Sequence, residues 1–139
     1  MFIFANEIEI LFSTSVKCPV DGKSYAAQFD LKSYTIKSSY INSTKGTADY
    51  CCAMEYRMAN QGYFRYQTFV DLTGCYLTSF TNIDKKLDIS YCNYVNDTIR
   101  HIDNQKGAFI YVRKCDVYIS NFCFVGINVD DNFDFVFFD

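Results

Sequence analysis

Apolar and polar residues alternate along most of this chain. Near the N-terminus Ile8, Ile10 and Phe12 alternate with Glu7, Glu9 and Leu11, the period-two pattern of a strand with one buried face. The same alternation, with β-branched and aromatic residues on the apolar beats, predicts strands over 7–12, 24–29, 33–42, 63–70, 75–80, 87–95, 108–113, 116–125 and 132–138. Turn formers separate them: Asp21-Gly22, Lys45-Gly46, Asn60-Gln61-Gly62, Thr73-Gly74, Asp103-Asn104 and Lys106-Gly107. Only the segment 49–60, with its Ala, Met, Glu and Arg, gathers helix formers, and a short helix fits there alone.

Part of the pattern recurs. Leu87-Asp88-Ile89-Ser90-Tyr91-Cys92-Asn93-Tyr94-Val95 aligns with Val117-Tyr118-Ile119-Ser120-Asn121-Phe122-Cys123-Phe124-Val125 at a spacing of 30. The stretch 34–41 reads as a looser copy, and 64–70 as a fourth with one residue missing. Ile36, Tyr66, Ile89 and Ile119 then fall at intervals of 30, 23 and 30. Tyr34, Phe64, Tyr94 and Phe124 recur in the same way. A period in this range is the signature of a solenoid, in which each repeat buries its apolar face only against its neighbours.

The run Gly107-Ala108-Phe109-Ile110-Tyr111-Val112, followed by Cys115-Asp116-Val117-Tyr118-Ile119-Ser120-Asn121-Phe122-Cys123-Phe124, resembles right-handed parallel β-helix repeats. Such repeats occur in polymorphic outer-membrane-type and protist surface proteins and in pectate-lyase-like enzymes. Two positions depart from their pattern. The usual double Gly is Lys106-Gly107, and the Asn of the Ser-Asn pair, present at Asn121, is Tyr91 one copy earlier. The resemblance implies a fold and, by its surface-protein members, a cell-surface or extracellular setting. It implies no particular activity.

The expected fold is therefore all-β: a short right-handed parallel β-helix forming one domain. Residues 1–32 are assigned to an N-terminal strand or hairpin cap, 33–125 to the repeat rungs and 126–139 to a C-terminal edge strand. The alternative is an antiparallel β-sandwich. The helix requires Ile89 to stack beside Ile119, whereas a sandwich requires local hairpins such as one at Asp21-Gly22.

Composition supports strand and narrows the function classes. The chain has 14 Phe, 12 Tyr, one Pro and six Gly among 139 residues, which is unlike a disordered chain. A net charge of −3 argues against a nucleic-acid surface. No apolar run is long enough for a transmembrane helix, and the N-terminal stretch lacks the basic region of a secretory signal. The seven cysteines read as buried free thiols, with disulfides as the alternative. Cys92 and Cys123 lie in apolar strand patterns, where thiols act as small hydrophobes.

No catalytic set emerges, and no cofactor or metal is expected. His101 is the only histidine and reads as structural. Gly22-Lys23-Ser24 lacks the earlier glycine of a phosphate loop, since position 17 is Lys17. Asp130, Asp131 and Asp134 lack EF-hand spacing, and Asp88 and Asp116 fall out of step in the repeat alignment. The candidate binding residues are the outward members of the aromatic series: Tyr56, Tyr63, Tyr66, Tyr111 and Tyr118. Phe133, Phe135 and Phe137 share one face of the last strand and are candidates for an oligomer interface.

The functional expectation is a non-enzymatic binding or structural module of a surface protein, presenting an aromatic-rich sheet to a carbohydrate or a protein. A carbohydrate-active enzyme or its remnant is the second reading. An assembly or coat subunit joined through the Phe-rich strand is the third. Clustered surface carboxylates with a basic residue favour the enzyme, whereas an uncharged face lined with tyrosine favours binding.

Overall fold

Alternation becomes strand almost everywhere, and each strand lies parallel to its neighbour. The computed structural model describes residues 2–16, 29–48, 51–57, 61–101, 107–131 and 133–139. The N-terminal half contains β1 (Phe2–Leu11), β2 (Thr14–Val16), β3 (Phe29–Ser39), β4 (Asn42–Thr44), β5 (Cys51–Arg57), β6 (Gln61–Arg65) and β7 (Thr68–Val70). The rest contains β8 (Thr73–Gly74), β9 (Tyr76–Val95), β10 (Thr98–Ile99), β11 (Gly107–Val125), β12 (Asn128–Val129) and β13 (Phe133–Phe138).

Among the described residues every strand pairing is parallel. The protein is thus an all-β parallel solenoid, and the antiparallel sandwich is excluded. One column of paired residues runs Phe2, Asp30, Glu55, Ser79, Tyr111 and Phe137. A second runs Ile10, Ser38, Phe64, Ile89 and Ile119, and a third runs Thr14, Asn42, Thr68, Asn93 and Cys123. Ile89 and Ile119 are direct partners, as the repeat requires.

Side chains that point inward form one continuous core, including Ile36, Phe64, Phe69, Phe80, Ile89, Tyr94 and Phe109. Large rings fill the narrow interior by edge and stacked contacts, for example Phe69 on Tyr94 at 4.9 Å and Tyr94 on Phe124 at 5.2 Å. Gly62 fits the stack because its backbone lies against the Ile36 carbonyl, where a Cβ would overlap the oxygen.

Several sequence expectations need correction. A helix is expected over 49–60, but its described residues, 51–57, form β5 instead. Ala53, Met54 and Tyr56 are buried there, so pairing with β3 and β9 outweighs helix propensity. In the segment assigned to a cap, β1 pairs with β3 in parallel register. The hairpin placed at Asp21-Gly22 and the strand at 24–29 fall largely outside the described residues. The looser copies are shifted by two positions. Ser38 and Phe64, not Ile36 and Tyr66, share the column of Ile89. Chains that alternate with period two look alike after a slip of two, so hydrophobicity alone does not fix the register. Cys92 is buried as expected, and its thiol is pushed up to about 12 by burial. Cys123 is exposed, because Phe122 and Phe124 take the inward positions on either side of it.

Candidate functional site

Two sharp corners follow one another, five residues apart, in the rungs where both are described. The first is Phe12, Tyr40, Tyr66, Tyr91 and Asn121, whose φ angles are 51°, 57°, 54°, 57° and 56°. The second is Lys45, Asp71, Asn96 and Gly126, at 56°, 55°, 54° and 63°. These left-handed angles turn the chain while keeping each amide in the inter-rung ladder. Phe12 N–H donates to the Ser39 carbonyl at 3.2 Å, Tyr40 N–H to Arg65 at 3.3 Å and Tyr66 N–H to Ser90 at 3.1 Å. Beneath the first corner, buried Gln67 donates from Nε2 to the Ser38 carbonyl at 3.1 Å and to the Arg65 carbonyl at 2.7 Å.

The stacked corners align their rings. Phe12 and Tyr40 lie 4.8 Å apart with planes 5° from parallel. Tyr40–Tyr66 and Tyr66–Tyr91 follow at 4.9 Å, with angles of 6° and 12°. The spacing is that of the strands themselves. All four rings are exposed: Phe12 at 76%, Tyr40 at 46%, Tyr66 at 43% and Tyr91 at 48%. Two residues beyond each ring stands Thr14, Asn42, Thr68 or Asn93, which supplies a polar floor beside the aromatic wall. Asn121 closes one end. The result is an open trough of about 600 Å³ running along the solenoid axis, with no charged residue in its lining.

Corner geometry does not call for aromatic residues. Holding a bulky residue in the left-handed region costs about 1–2 kcal/mol, and each stacked contact returns about 0.5–1.5 kcal/mol. Half-burial of the rings brings the balance to about even. A chain that only had to turn could use a polar residue or Gly, as this one does at Lys45, Asp71, Asn96, Asn121 and Gly126. The aromatic corners are thus exposed outliers that fold stability alone does not favour, the kind of strained position that gathers at functional surfaces.

The sequence candidates scatter over different surfaces. Only Tyr66 belongs to the ladder. Tyr56 is buried, stacked on Phe80 at 5.0 Å, and has no surface to offer a ligand. Tyr63 and Tyr118 lie in one column on the adjoining flat face, with Asp88 between them. That face is charged. Arg65 pairs with Asp88 and lies 5.2 Å over the Tyr63 ring, Ser90 Oγ donates to Asp88 Oδ1 at 2.9 Å, and Lys86 sits 5.2 Å over Tyr118. Nearby, Lys37 pairs with Glu7 at 2.7 Å. Tyr111 is half-buried elsewhere, stacked on Tyr76 at 4.6 Å and donating to Asp139 Oδ2 at 2.9 Å. Phe133 and Phe135 both pack on Phe109, at 6.5 and 5.7 Å, with Phe135 more exposed. The side chain of Phe137 lies outside the described set. Among the described residues β13 pairs only with β11.

Sequence reasoning missed Phe12, Tyr40 and Tyr91. A signal was present: each ring is followed two residues later by Thr or Asn, at spacings of 28, 26 and 25. Tyr91 in place of the Asn of the repeat pattern marks this same corner.

Among the described residues, no group of three or more His, Cys, Asp or Glu is placed to hold a metal ion. Nor is any helix there long and apolar enough to cross a membrane. His101 and Asp130 form an exposed pair, with Nδ1 3.4 Å from Oδ2. No protein-family model, curated protein or solved structure matches the chain. Fold and site together define a parallel β-solenoid with an aromatic-walled corner trough.

Proposed function

We propose that the protein is a non-enzymatic binding module whose ligand surface is the corner trough, and that its ligand is a carbohydrate. The observation that carries this reading is the exposed ladder of Phe12, Tyr40, Tyr66 and Tyr91 beside the uncharged Thr and Asn floor. An amphipathic wall with hydroxyl and amide groups beside it matches a sugar chain, which offers C–H surfaces and hydroxyls together. On the flat face Asp88 is held by Arg65 and Glu7 by Lys37, and the trough lining holds no carboxylate, so the trough itself lacks the carboxyl pair of a glycosidase.

The test is retention of soluble polysaccharides in affinity gels. The triple variant Tyr40→Ala/Tyr66→Ala/Tyr91→Ala is expected to lose binding at least tenfold. The variant Tyr63→Ala/Tyr118→Ala, altered only on the flat face, is expected to bind like the parent. Equal retention by the triple variant would remove the trough from consideration, and release of reducing ends would contradict the non-enzymatic reading.

A further inference from the structure

The ladder's own geometry limits how it can hold a sugar. Each interior ring has a neighbour on both faces at 4.8–4.9 Å, nearly parallel. A further ring cannot enter between them, because an inserted ring needs about one van der Waals thickness on each side. The 46% and 43% exposure of Tyr40 and Tyr66 therefore belongs to their edges, not their faces, while Tyr91 ends the row of rings with Asn121 at the next corner. Aromatic edges carry the positive side of the ring quadrupole, and a tyrosine edge adds a hydroxyl donor. The trough thus presents a row of donors and positive edges at the strand spacing, next to the Asn42 and Asn93 amides and the Thr14 and Thr68 hydroxyls.

We infer that the trough recognises a linear, neutral glycan extended along the solenoid axis, and does so edge-on through the hydroxyls of Tyr40, Tyr66 and Tyr91, without stacking sugar on the ring faces. This rests on the trough being the binding site. The extended form follows from the straight ladder, since a chain must run parallel to it to meet successive hydroxyls. Neutrality follows from the lining, which includes no cation to pair with a uronate or sulfate. Oxygen acceptors recurring once per sugar meet donors recurring once per rung. Phe12, the ladder member without a hydroxyl, stands at its end and is the most exposed of the four rings.

Tyr40→Phe/Tyr66→Phe/Tyr91→Phe separates edge recognition from face recognition. It keeps every ring and every stack, so it also keeps the fold. Binding is measured by calorimetry against neutral β-linked gluco-, manno- and xylo-oligosaccharides of two to eight units, with oligogalacturonates and alginate oligomers as the anionic arm. The full-length parent is expected to bind at least one neutral series, with affinity rising with length and then levelling off once the ladder is spanned. Anionic oligomers are expected to bind at least tenfold more weakly. Each lost hydroxyl is expected to cost roughly fivefold, and the triple Phe variant on the order of a hundredfold. If the Phe variant binds as tightly as the parent while the alanine variant does not, edge recognition is wrong and the trough assignment survives. Preference for the anionic oligomers overturns the neutral class. If no oligosaccharide binds the parent, this inference and the proposed function fall together.

Discussion

Replacing Phe64 with alanine is expected to destabilise the protein by about 3–5 kcal/mol. Phe64 is fully buried at the centre of the stack. Its ring meets Tyr56 edge-on at 5.5 Å, Phe80 at 5.4 Å and Phe69 at 6.0 Å, and its column places Ser38 and Ile89 on either side. Tyr56 and Phe69 belong to its own rung, Ser38 to the rung before and Phe80 and Ile89 to the rung after. In a solenoid a rung buries its apolar side chains only against the next, so a cavity here removes contacts on both sides. Stiff parallel strands tied by a continuous ladder relax little into such a hole, which places the expected cost in the upper part of the large-to-small range. A loss of this size is a large fraction of the roughly 5–15 kcal/mol that holds a domain folded. It is expected to lower the melting temperature by about 10–20 °C, read by circular dichroism in the strand band. Tyr118→Ala, which removes an exposed ring from the flat face, is expected to stay within about 0.5 kcal/mol of the parent. A Phe64→Ala variant as stable as Tyr118→Ala would contradict the stacked core.

The second large effect concerns one buried carboxyl. Asp97 is fully buried just after the second corner, and its Oδ1 accepts the Leu72 amide at 2.9 Å. Its Oδ2 is buried with no hydrogen-bond partner among the described residues. Burial, helped slightly by the nearby Asp71 charge, outweighs the backbone contacts with Leu72 and Val95 and raises the carboxyl to about 7. The folded protein therefore holds this proton at pH values where the unfolded chain, near 4, has released it. Stability from this group is greatest at acid pH, declines as the pH climbs from about 4 to about 7, and is level above that. The full difference is on the order of 4 kcal/mol. Asp97→Asn keeps an oxygen for the Leu72 amide and removes the charge. The variant is expected to be several kcal/mol more stable than the parent at pH 8 and nearly equal to it at pH 4. Urea titrations across that range measure this. Parallel profiles for the two proteins would show that Asp97 is not held neutral by burial.

Much of the fold was legible in the chain, for a simple reason. Period-two alternation and one well-kept repeat, 87–95 against 117–125, carry strand and stacking at once, and the structure pairs those segments residue for residue. The looser copies misled by two residues because a slip of two leaves the apolar beat unchanged. Corner residues break that ambiguity, since a left-handed turn must sit at one place in each rung. Here the corner was disguised. Asn at position 121 is a familiar left-handed residue, but Tyr40, Tyr66 and Tyr91 are not, so their shared conformation left no compositional mark. The ladder stayed hidden for the same reason: tyrosines read as core or as scattered surface until the register stacks them. The charges of Arg65, Asp88 and Lys86 around Tyr63 and Tyr118 became visible only when neighbouring rungs met.

The most direct test of the account is to locate a bound sugar on the folded protein. Aromatic and side-chain amide resonances can be followed by NMR while a neutral linear oligosaccharide is added to saturation. Saturable shifts are expected at Phe12, Tyr40, Tyr66 and Tyr91 and at the Asn42 and Asn93 amides, with Tyr63 and Tyr118 unmoved. Shifts centred on the Tyr63–Asp88–Tyr118 column, or none at any concentration, would contradict it.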